Sequence, residues 1–296
     1  MTANRNYPYA RRTTLARLLT SFVWCLLLTL LVTPPISLAQ SFEQQTELQE
    51  ANRLGQEIMT LLKAGKFSDA EPLLQKSLEI YERVLGAENL GVAGSLIGLA
   101  GIYQQQGRFA EAEPLLRRVL AISEKALGPE HPDGAKLITA VAVIYLRQGR
   151  YGEVEPLLQR SLRVLERAYG PEHPDVANTI FSLAVAYHNQ QRFGEAEPLF
   201  RKSLVILEKA FGPEDPNVAA ILAYLAMNYQ RQDHFAEAEP LFRRSLAILE
   251  KALGPEGPNI AMIIIHWTAN YMYQGHFAEA EVLLRRSLAI LFCRRV

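Results

Sequence analysis

The sequence predicts an all-α protein, a solenoid of six helical hairpins in tandem. Three observations predict this fold class. A GPEHP turn begins at Gly128 and again 42 residues later at Gly170, and it returns as GPEDP at Gly212 and GPEGP at Gly254. An EAEPL-like segment keeps the same step along the chain. Apolar residues recur at the helical period of 3.6 and show no strand-like alternation. Units of this kind bury their apolar faces against their neighbours.

One repeat, residues 170–211, shows how each hairpin is predicted. Two apolar stripes at helical spacing mark its two helices. They comprise Val176, Ala177, Ile180, Leu183, Ala184 and Tyr187, and then Ala196, Leu199, Phe200, Leu204, Ile206 and Leu207. Pro174 suits the first turn of the first helix, and Gly212 followed by Pro213 ends the second. We expect Pro198 to lie within the first turn of the second helix, where no backbone hydrogen bond is lost.

Two further positions recur with the same step. The position before the first helix is occupied by Asn89, His131, His173, Asp215 and Gly257. Asn and Asp side chains are strong helix caps. The turn within each hairpin is predicted near Gly65, Gly107, Gly149, Gln191, Asp233 and Gly275. These signals indicate where each helix begins and where the chain reverses.

The repeat divides the chain into residues 1–39 and an array over residues 40–296. Hairpins are predicted at about 44–85, 86–127, 128–169, 170–211, 212–253 and 254–292. Near the carboxyl end, the segment 286–291 is followed by Phe-Cys-Arg-Arg-Val, where the preceding repeat continues Glu-Lys-Ala-Leu. We interpret this ending as a truncation or frameshift from a longer array, a hypothesis that the downstream reading frames would test.

The first 39 residues have the layout of an export signal. Four arginines and no acid precede Leu18, a dense apolar run follows, and Pro34-Pro35 breaks it. Small residues at Ser37 and Ala39 suit a cleavage site. The alternatives are an uncleaved anchor, with membrane contact only through residues 18–33, and a misassigned start of the sequence. Either topology places the array outside the cytoplasm, because the arginines stay inside. We therefore expect a periplasmic or secreted protein, or a membrane-anchored one that faces outward.

Composition excludes several classes of function. The chain has 31 basic and 31 acidic residues and so presents no basic field for nucleic acid. Its two cysteines are Cys25, within the apolar run, and Cys293. Cleavage near Ala39 would leave one cysteine, which excludes an intrachain disulfide. Stability would then come from packing alone.

The repeat resembles the tetratricopeptide repeat. The residues that carry the resemblance are Leu183-Ala184 with Tyr187, then Ala196 and Leu199-Phe200. The 42-residue form, with HPDVA before the first helix and EAEPL in the second, resembles the kinesin-light-chain type, which is abundant in bacterial proteins. The resemblance covers about residues 44–291. It implies a right-handed α-solenoid that scaffolds protein complexes, and a concave groove of first helices that holds an extended or helical peptide.

The residues expected in this groove differ from the family pattern. Where the family often has Leu-Asn-Asn-Leu-Ala, this chain has LIGLA, ITAVA, IFSLA, LAYLA and IIHWT. The predicted groove is therefore apolar, without the amides that would clamp a peptide backbone. Its residues are Ile97, Thr139, Val143, Phe181, Val185, Ala223, Met227 and Ile265, with Arg147, Asn189 and Arg231 near its far edge. The alternative interpretation is that these side chains pack against the next repeat or a capping segment.

No catalytic, cofactor or metal site is predicted. The six histidines are spread along the array, whereas metal ligands must converge. The EAEP glutamates recur in nearly every repeat and suit the positive ends of helices. Catalytic signatures such as GxSxG and HExxH are absent from the sequence. We expect a non-enzymatic scaffold that binds a protein or peptide. The alternative is a truncated or regulatory part of a longer protein with a C-terminal effector domain.

Overall fold

The computed structural model describes residues 42–255 and 258–292, so the predicted signal or anchor helix and the Gly257 cap lie outside the described residues. Within them the chain forms α-helices and contains no strand. The helices are α1 Phe42–Lys63, α2 Phe67–Leu85, α3 Leu90–Gln105, α4 Phe109–Leu127, α5 Pro132–Arg147, α6 Tyr151–Tyr169, α7 Pro174–Asn189, α8 Phe193–Phe211, α9 Pro216–Gln230, α10 Phe235–Leu253, α11 Pro258–Tyr273 and α12 Phe277–Phe292. The predicted all-α array of helical hairpins is confirmed.

The helices fall into two compact units, which divide between Ile206 and Leu207. In the N-terminal unit, α1 pairs with α2, α3 with α4 and α5 with α6. Each second helix there also packs against the first helix of the next hairpin, as α6 packs against α7. The C-terminal unit repeats this scheme with α9–α10 and α11–α12, and α10 packs against α11. None of the helices in the described ranges is long and apolar enough to cross a membrane.

Side-chain caps fix where the first helices begin. Asn89 and Asp215 accept hydrogen bonds from the backbone N–H groups two residues later, at 2.9 and 2.8 Å. His131 and His173 do the same with Nδ1, each at 3.1 Å. A cap of this kind satisfies one of the backbone donors that a helix start leaves unpaired. The sequence marked this position, but the histidine caps were not predicted.

Positive backbone φ angles mark the hairpin turns at the predicted positions. Gly65, Gly107, Gly149 and Gly275 lie at φ between +73° and +77°. Gln191 and Asp233 take the same conformation, at φ 63° and 62°. Residues with a Cβ rarely adopt this region, because the Cβ crowds the following carbonyl oxygen. The turn geometry therefore persists in two repeats whose sequence does not favour it.

The prolines of the second helices lie deeper than expected. Pro198 is the sixth residue of α8, which begins at Phe193. The N–H that would bond the carbonyl of Gly194 is therefore missing. The prediction that no backbone hydrogen bond is lost is wrong. Pro198 is exposed, so water can reach this part of the helix.

Helix α5 is buried on nearly every side. In α5 every residue from Leu137 to Leu146 is buried. Helix α5 packs against the preceding second helix, its own second helix and the first helices on either side. A helix that is apolar all round is stable only when covered in this way.

A buried serine joins the two helices of several hairpins. Ser161, Ser203 and Ser245 each donate a hydrogen bond of 2.7 Å to a carbonyl of the first helix in the same hairpin. The acceptors are Ala135, Ala177 and Ala219. Because each hydroxyl is paired, its burial carries no unsatisfied polar group.

Candidate partner-binding surface

Five of the predicted groove residues are buried within the packed helices. Ile97, Thr139, Val143, Val185 and Ala223 expose 5% of their surface or less. Their role in partner binding stays a prediction, and in this structure they fill the space between helices.

Thr139 shows why such a position is covered. Its Oγ1 lies 2.7 Å from Oγ of Ser161 on its own second helix. The same oxygen lies 3.4 Å from Oγ1 of Thr179 on the next first helix. The position therefore points towards neighbouring helices and is shielded from solvent by them.

The other predicted groove residues reach the surface in part or in full. Arg147, Phe181 and Met227 are half-buried, and Phe181 lies 5.9 Å from the ring of Phe200 between centroids. Asn189, Arg231 and Ile265 are exposed. Their place in a binding groove likewise stays a prediction.

In the C-terminal unit the first helices present a solvent-facing line of residues that we call the front strip. It comprises Ala220 and Met227 on α9, Arg231 directly after the end of α9, and Met262, Ala269 and Tyr273 on α11. Spacings of seven and four residues place each trio on one helix face. Helices α9 and α11 lie side by side. Met262 and Tyr273 expose 37% and 69% of their surface, which makes the strip an accessible apolar surface.

Two features shape this strip. The ring of Tyr273 stacks on Phe235, with centroids 5.5 Å apart and planes 14° apart, so it has a defined position. The methionines are unbranched and polarisable, which lets them adjust to the shape of a partner. Met227 and Arg231 were predicted from the sequence, whereas Met262 and Tyr273 were not, although Tyr273 lies one repeat period after Arg231.

In the N-terminal unit, the residues that correspond to the front strip are less exposed to solvent. On α5 they are Lys136, Val143 and Arg147. The ammonium of Lys136 lies 3.3 Å from Asp133 and 3.5 Å from Asp175. Burial acts to lower the pKa of Lys136, but a hydrogen bond with Tyr169 and the charge of Asp175 raise it. The Lys136 side chain therefore contacts residues of its own hairpin and of the next one.

A polar ladder at the hairpin turns of the N-terminal unit was also missed. Arg192 lies 3.9 Å above the ring of Tyr187 and pairs with Glu155 of the preceding repeat and with Glu195, at 2.8 and 2.7 Å. The paired guanidinium lowers the pKa of Glu195. Arg108 and Arg150 occupy the equivalent position and make the equivalent contacts. The 42-residue recurrence of these side chains was the available signal.

The described residues contain no group of three or more His, Cys, Asp or Glu side chains that could hold a metal ion. The exposed apolar residues of the front strip offer contact area on a scaffold of repeats.

The tetratricopeptide repeat model matches residues 54–125, 92–167, 135–209, 180–251 and 217–291. The chain belongs to the tetratricopeptide repeat family. A search of the curated proteins found no match.

Solved structures refine the type of tetratricopeptide repeat. The kinesin light chain TPR-like repeats of P. anserina are 31% identical, with 67% of this chain and 93% of that chain covered and a TM-score of 0.56. BtubC (BKLC) of P. vanneervenii is 21% identical, with 77% and 92% covered and a TM-score of 0.65. A Rap protein solved with competence and sporulation factor is 14% identical, with 83% and 76% covered and a TM-score of 0.56. The predicted kinesin-light-chain type of repeat is confirmed.

The family explains the shape of the candidate surface. Tetratricopeptide repeats are non-catalytic interaction scaffolds in most proteins that contain them, and the matching family is not an enzymatic one. The first helices supply the candidate surface and the second helices support them from behind. In this chain the surface is open in the C-terminal unit and largely filled in α5.

Proposed function

We propose that this tetratricopeptide repeat protein is a non-enzymatic scaffold that binds a peptide or an amphipathic helix on the front strip. One observation carries the proposal. The strip keeps Met262 and Tyr273 exposed on α11, beside Met227 of α9, where a soluble surface would favour polar side chains.

The chemistry of the strip favours an apolar ligand face. Helix-in-groove recognition places residues at i, i+3, i+4 and i+7 of an amphipathic helix against an apolar surface. Tyrosine and methionine supply such contact area and adapt to more than one partner. The strip lacks the row of asparagines that would hold a peptide backbone, so side-chain packing would provide the affinity.

The test is site-specific photo-crosslinking in cells that express the full chain. A photoreactive phenylalanine analogue replaces Met262 or, in a second variant, Tyr273. The matched control places the same analogue at Val282, which exposes 67% of its surface on the second helix α12. We expect one defined protein adduct from both strip positions and none from Val282. Equal labelling at all three positions, or no adduct at any, would contradict the proposal.

We further propose that the array is exported, in periplasmic or secreted form. The basic residues, apolar run and small residues of positions 1–39 support this proposal. Mass spectrometry of the chain recovered from the expressing cells tests it. A mature form that begins at Gln40 is expected, whereas an intact N-terminus in the membrane fraction would indicate the anchored alternative.

A further inference from the structure

Two first helices of the N-terminal unit begin with a histidine cap. Nδ1 of His131 accepts a hydrogen bond from the backbone N–H of Asp133 at 3.1 Å. Nδ1 of His173 accepts one from the backbone N–H of Asp175 at the same distance. A ring nitrogen accepts a hydrogen bond only while it carries no proton, whereas the amide oxygen of Asn89, which caps α3 at 2.9 Å, does not titrate. The starts of α5 and α7 therefore depend on the charge state of an imidazole.

Each capped residue also presents its own carboxylate to the imidazole. Oδ2 of Asp133 lies 3.8 Å from Nδ1 of His131. Oδ2 of Asp175 lies 3.7 Å from Nδ1 of His173. A protonated Nδ1 donates a hydrogen bond, and its charge-assisted bond to a carboxylate has a length of about 2.7–2.9 Å. A movement of about 1 Å would therefore take the protonated ring from the backbone N–H to the carboxylate.

Lys136 links the two caps. Its ammonium lies 3.3 Å from the carboxylate of Asp133 and 3.5 Å from that of Asp175, so it ties α5 to α7. Its positive charge competes for both carboxylates and opposes a second positive charge beside them. The two histidines, the two aspartates and this lysine thus form one network across the starts of α5 and α7.

The other charged and titratable neighbours come from α6 and from the turns before the two helices. The ring of His173 lies 4.5 Å from that of Tyr169 at the end of α6, between centroids. Glu130, in the turn before α5, pairs with Arg167 of α6. Glu172 occupies the same place in the turn before α7. The ion-pair contacts of the two imidazoles are made with the aspartates.

Three effects decide which charge state of the imidazoles the fold prefers. Loss of a helix cap lowers a folding equilibrium constant by roughly fivefold. A positive charge at the start of a helix is also unfavourable, because that end carries the positive pole of the helix dipole. The opposing gain is small, since the paired His and Asp side chains are 32–47% exposed and exposed ion pairs contribute little. The fold therefore prefers neutral imidazoles, so the caps stabilise it at about pH 8 and this contribution is lost as the pH falls towards about 5.

We propose that His131 and His173 form a pH switch at the starts of α5 and α7. In the neutral state each imidazole caps its helix. In the protonated state each pairs with the aspartate two residues further on, which leaves the first turn of the helix uncapped and takes carboxylate oxygens from Lys136. Mild acid therefore loosens the N-terminal unit at these two helix starts. This inference goes beyond the scaffold function and does not depend on it.

The first test is nitrogen-15 NMR of the full chain between about pH 8 and about pH 5. At the higher pH we expect both imidazoles to carry their proton on Nε2, with Nδ1 unprotonated. The backbone amide signals of Asp133 and Asp175 should shift in step with the ring signals as the pH falls. The amide signal of Gly91, which Asn89 caps, should not follow. A proton on Nδ1 at the higher pH, or aspartate amides that do not follow the rings, would overturn the proposal.

The second test compares the urea unfolding of the wild type with that of a His131→Asn, His173→Asn double variant. Asparagine keeps the cap, as Asn89 shows, but does not change its charge. Between about pH 8 and about pH 5 the unfolding equilibrium constant of the wild type should rise roughly tenfold more than that of the variant. The other histidines titrate in both proteins, so the difference isolates the two caps. The same pH dependence in both proteins would show that the caps do not act as a switch.

A further variant tests the exchange of partners. Asp133→Asn and Asp175→Asn, introduced together, keep the capped backbone N–H groups and remove the carboxylates that would receive the protonated rings. Without these carboxylates, the acid-induced rise in the unfolding equilibrium constant should be roughly threefold larger than in the wild type. An unchanged or smaller rise would contradict the pairing of the protonated histidines with the aspartates.

Discussion

Single side chains join the two helices of several hairpins. The buried serine of the second helix is the most direct example, because its hydroxyl reaches a backbone carbonyl of the first helix. Ser287 differs from the earlier serines, since it donates at 2.8 Å to the carbonyl of Leu284 within its own helix. Ser203 thus joins two helices, whereas the Ser287 hydroxyl bonds only within its own helix.

We predict that Ser203→Ala lowers the free energy of unfolding by about 1 kcal/mol, because it leaves the buried carbonyl of Ala177 without this donor. Urea denaturation followed by circular dichroism measures the change. The matched control is Ser287→Ala, which removes an intrahelical bond and should cost less. An equal or smaller effect at Ser203 would show that the interhelical bond adds no stability.

A second residue-scale feature is the left-handed conformation at Gln191. Glycine adopts this region without strain, whereas other residues pay about 1–2 kcal/mol. Glycine also carries an entropy cost of about 0.5–1 kcal/mol on folding. We predict that Gln191→Gly raises the free energy of unfolding by a fraction of 1 kcal/mol and that the reverse change, Gly149→Gln, lowers it. Thermal unfolding compares them, and a Gln191→Gly protein that melts lower than the wild type contradicts the argument.

At the scale of helices, the sequence predicts the hairpins well because each start, turn and stop has a local chemical cause. Asn89 and Asp215 cap as expected, and the turns fall at the expected positions. The groove could not be predicted as well. Helical periodicity placed Thr139 on the predicted groove face, but it does not show how many neighbouring helices converge on that position.

The depth of the helix prolines was misjudged for a related reason. Composition indicates that a second helix begins near the EAEP segment, but the first residue of α8 is Phe193, before that segment. Aromatic residues at this position belong to the helix in all six hairpins. A helix start two residues earlier than the EAEP segment places Pro198 outside the region where its missing N–H has no consequence.

One ion-pair cluster joins the two helices of the first hairpin. Glu50 of α1 lies 2.8 Å from Arg53 on the same helix and 3.0 Å from Lys76 of α2. Hydrogen bonds from Arg53 and then Lys76 lower the pKa of Glu50 from 4.5 to about 2. A lowered carboxyl pKa stabilises the fold above pH 4.5, and this contribution is lost as the pH falls towards 2.

We predict that the carboxyl carbon of Glu50 titrates near pH 2 in NMR spectra of the folded chain. Lys76→Met should move the midpoint towards 4.5, since one of the two donors is gone, while Arg53 remains. Glu50→Gln should weaken the loss of stability between pH 4.5 and 2. A Glu50 midpoint that already lies near 4.5 in the wild type would mean that the cluster is not formed in solution.

At the scale of the whole chain, the exposure of the first helices differs between the two units. Every residue of α5 from Leu137 to Leu146 is buried, whereas α11 exposes Met262 and Tyr273. The proposed partner site therefore lies in the C-terminal unit.

Hydrogen–deuterium exchange of the full chain, with and without the partner recovered by crosslinking, tests the scaffold function most directly. We expect slower exchange in peptides from α9 and α11 when the partner is bound, with exchange in α1 unchanged. The Val282→Glu variant should reproduce this pattern, and a Met262→Glu, Tyr273→Glu variant should lose it. Protection that falls elsewhere, or that survives loss of the front strip, would contradict the proposed scaffold function.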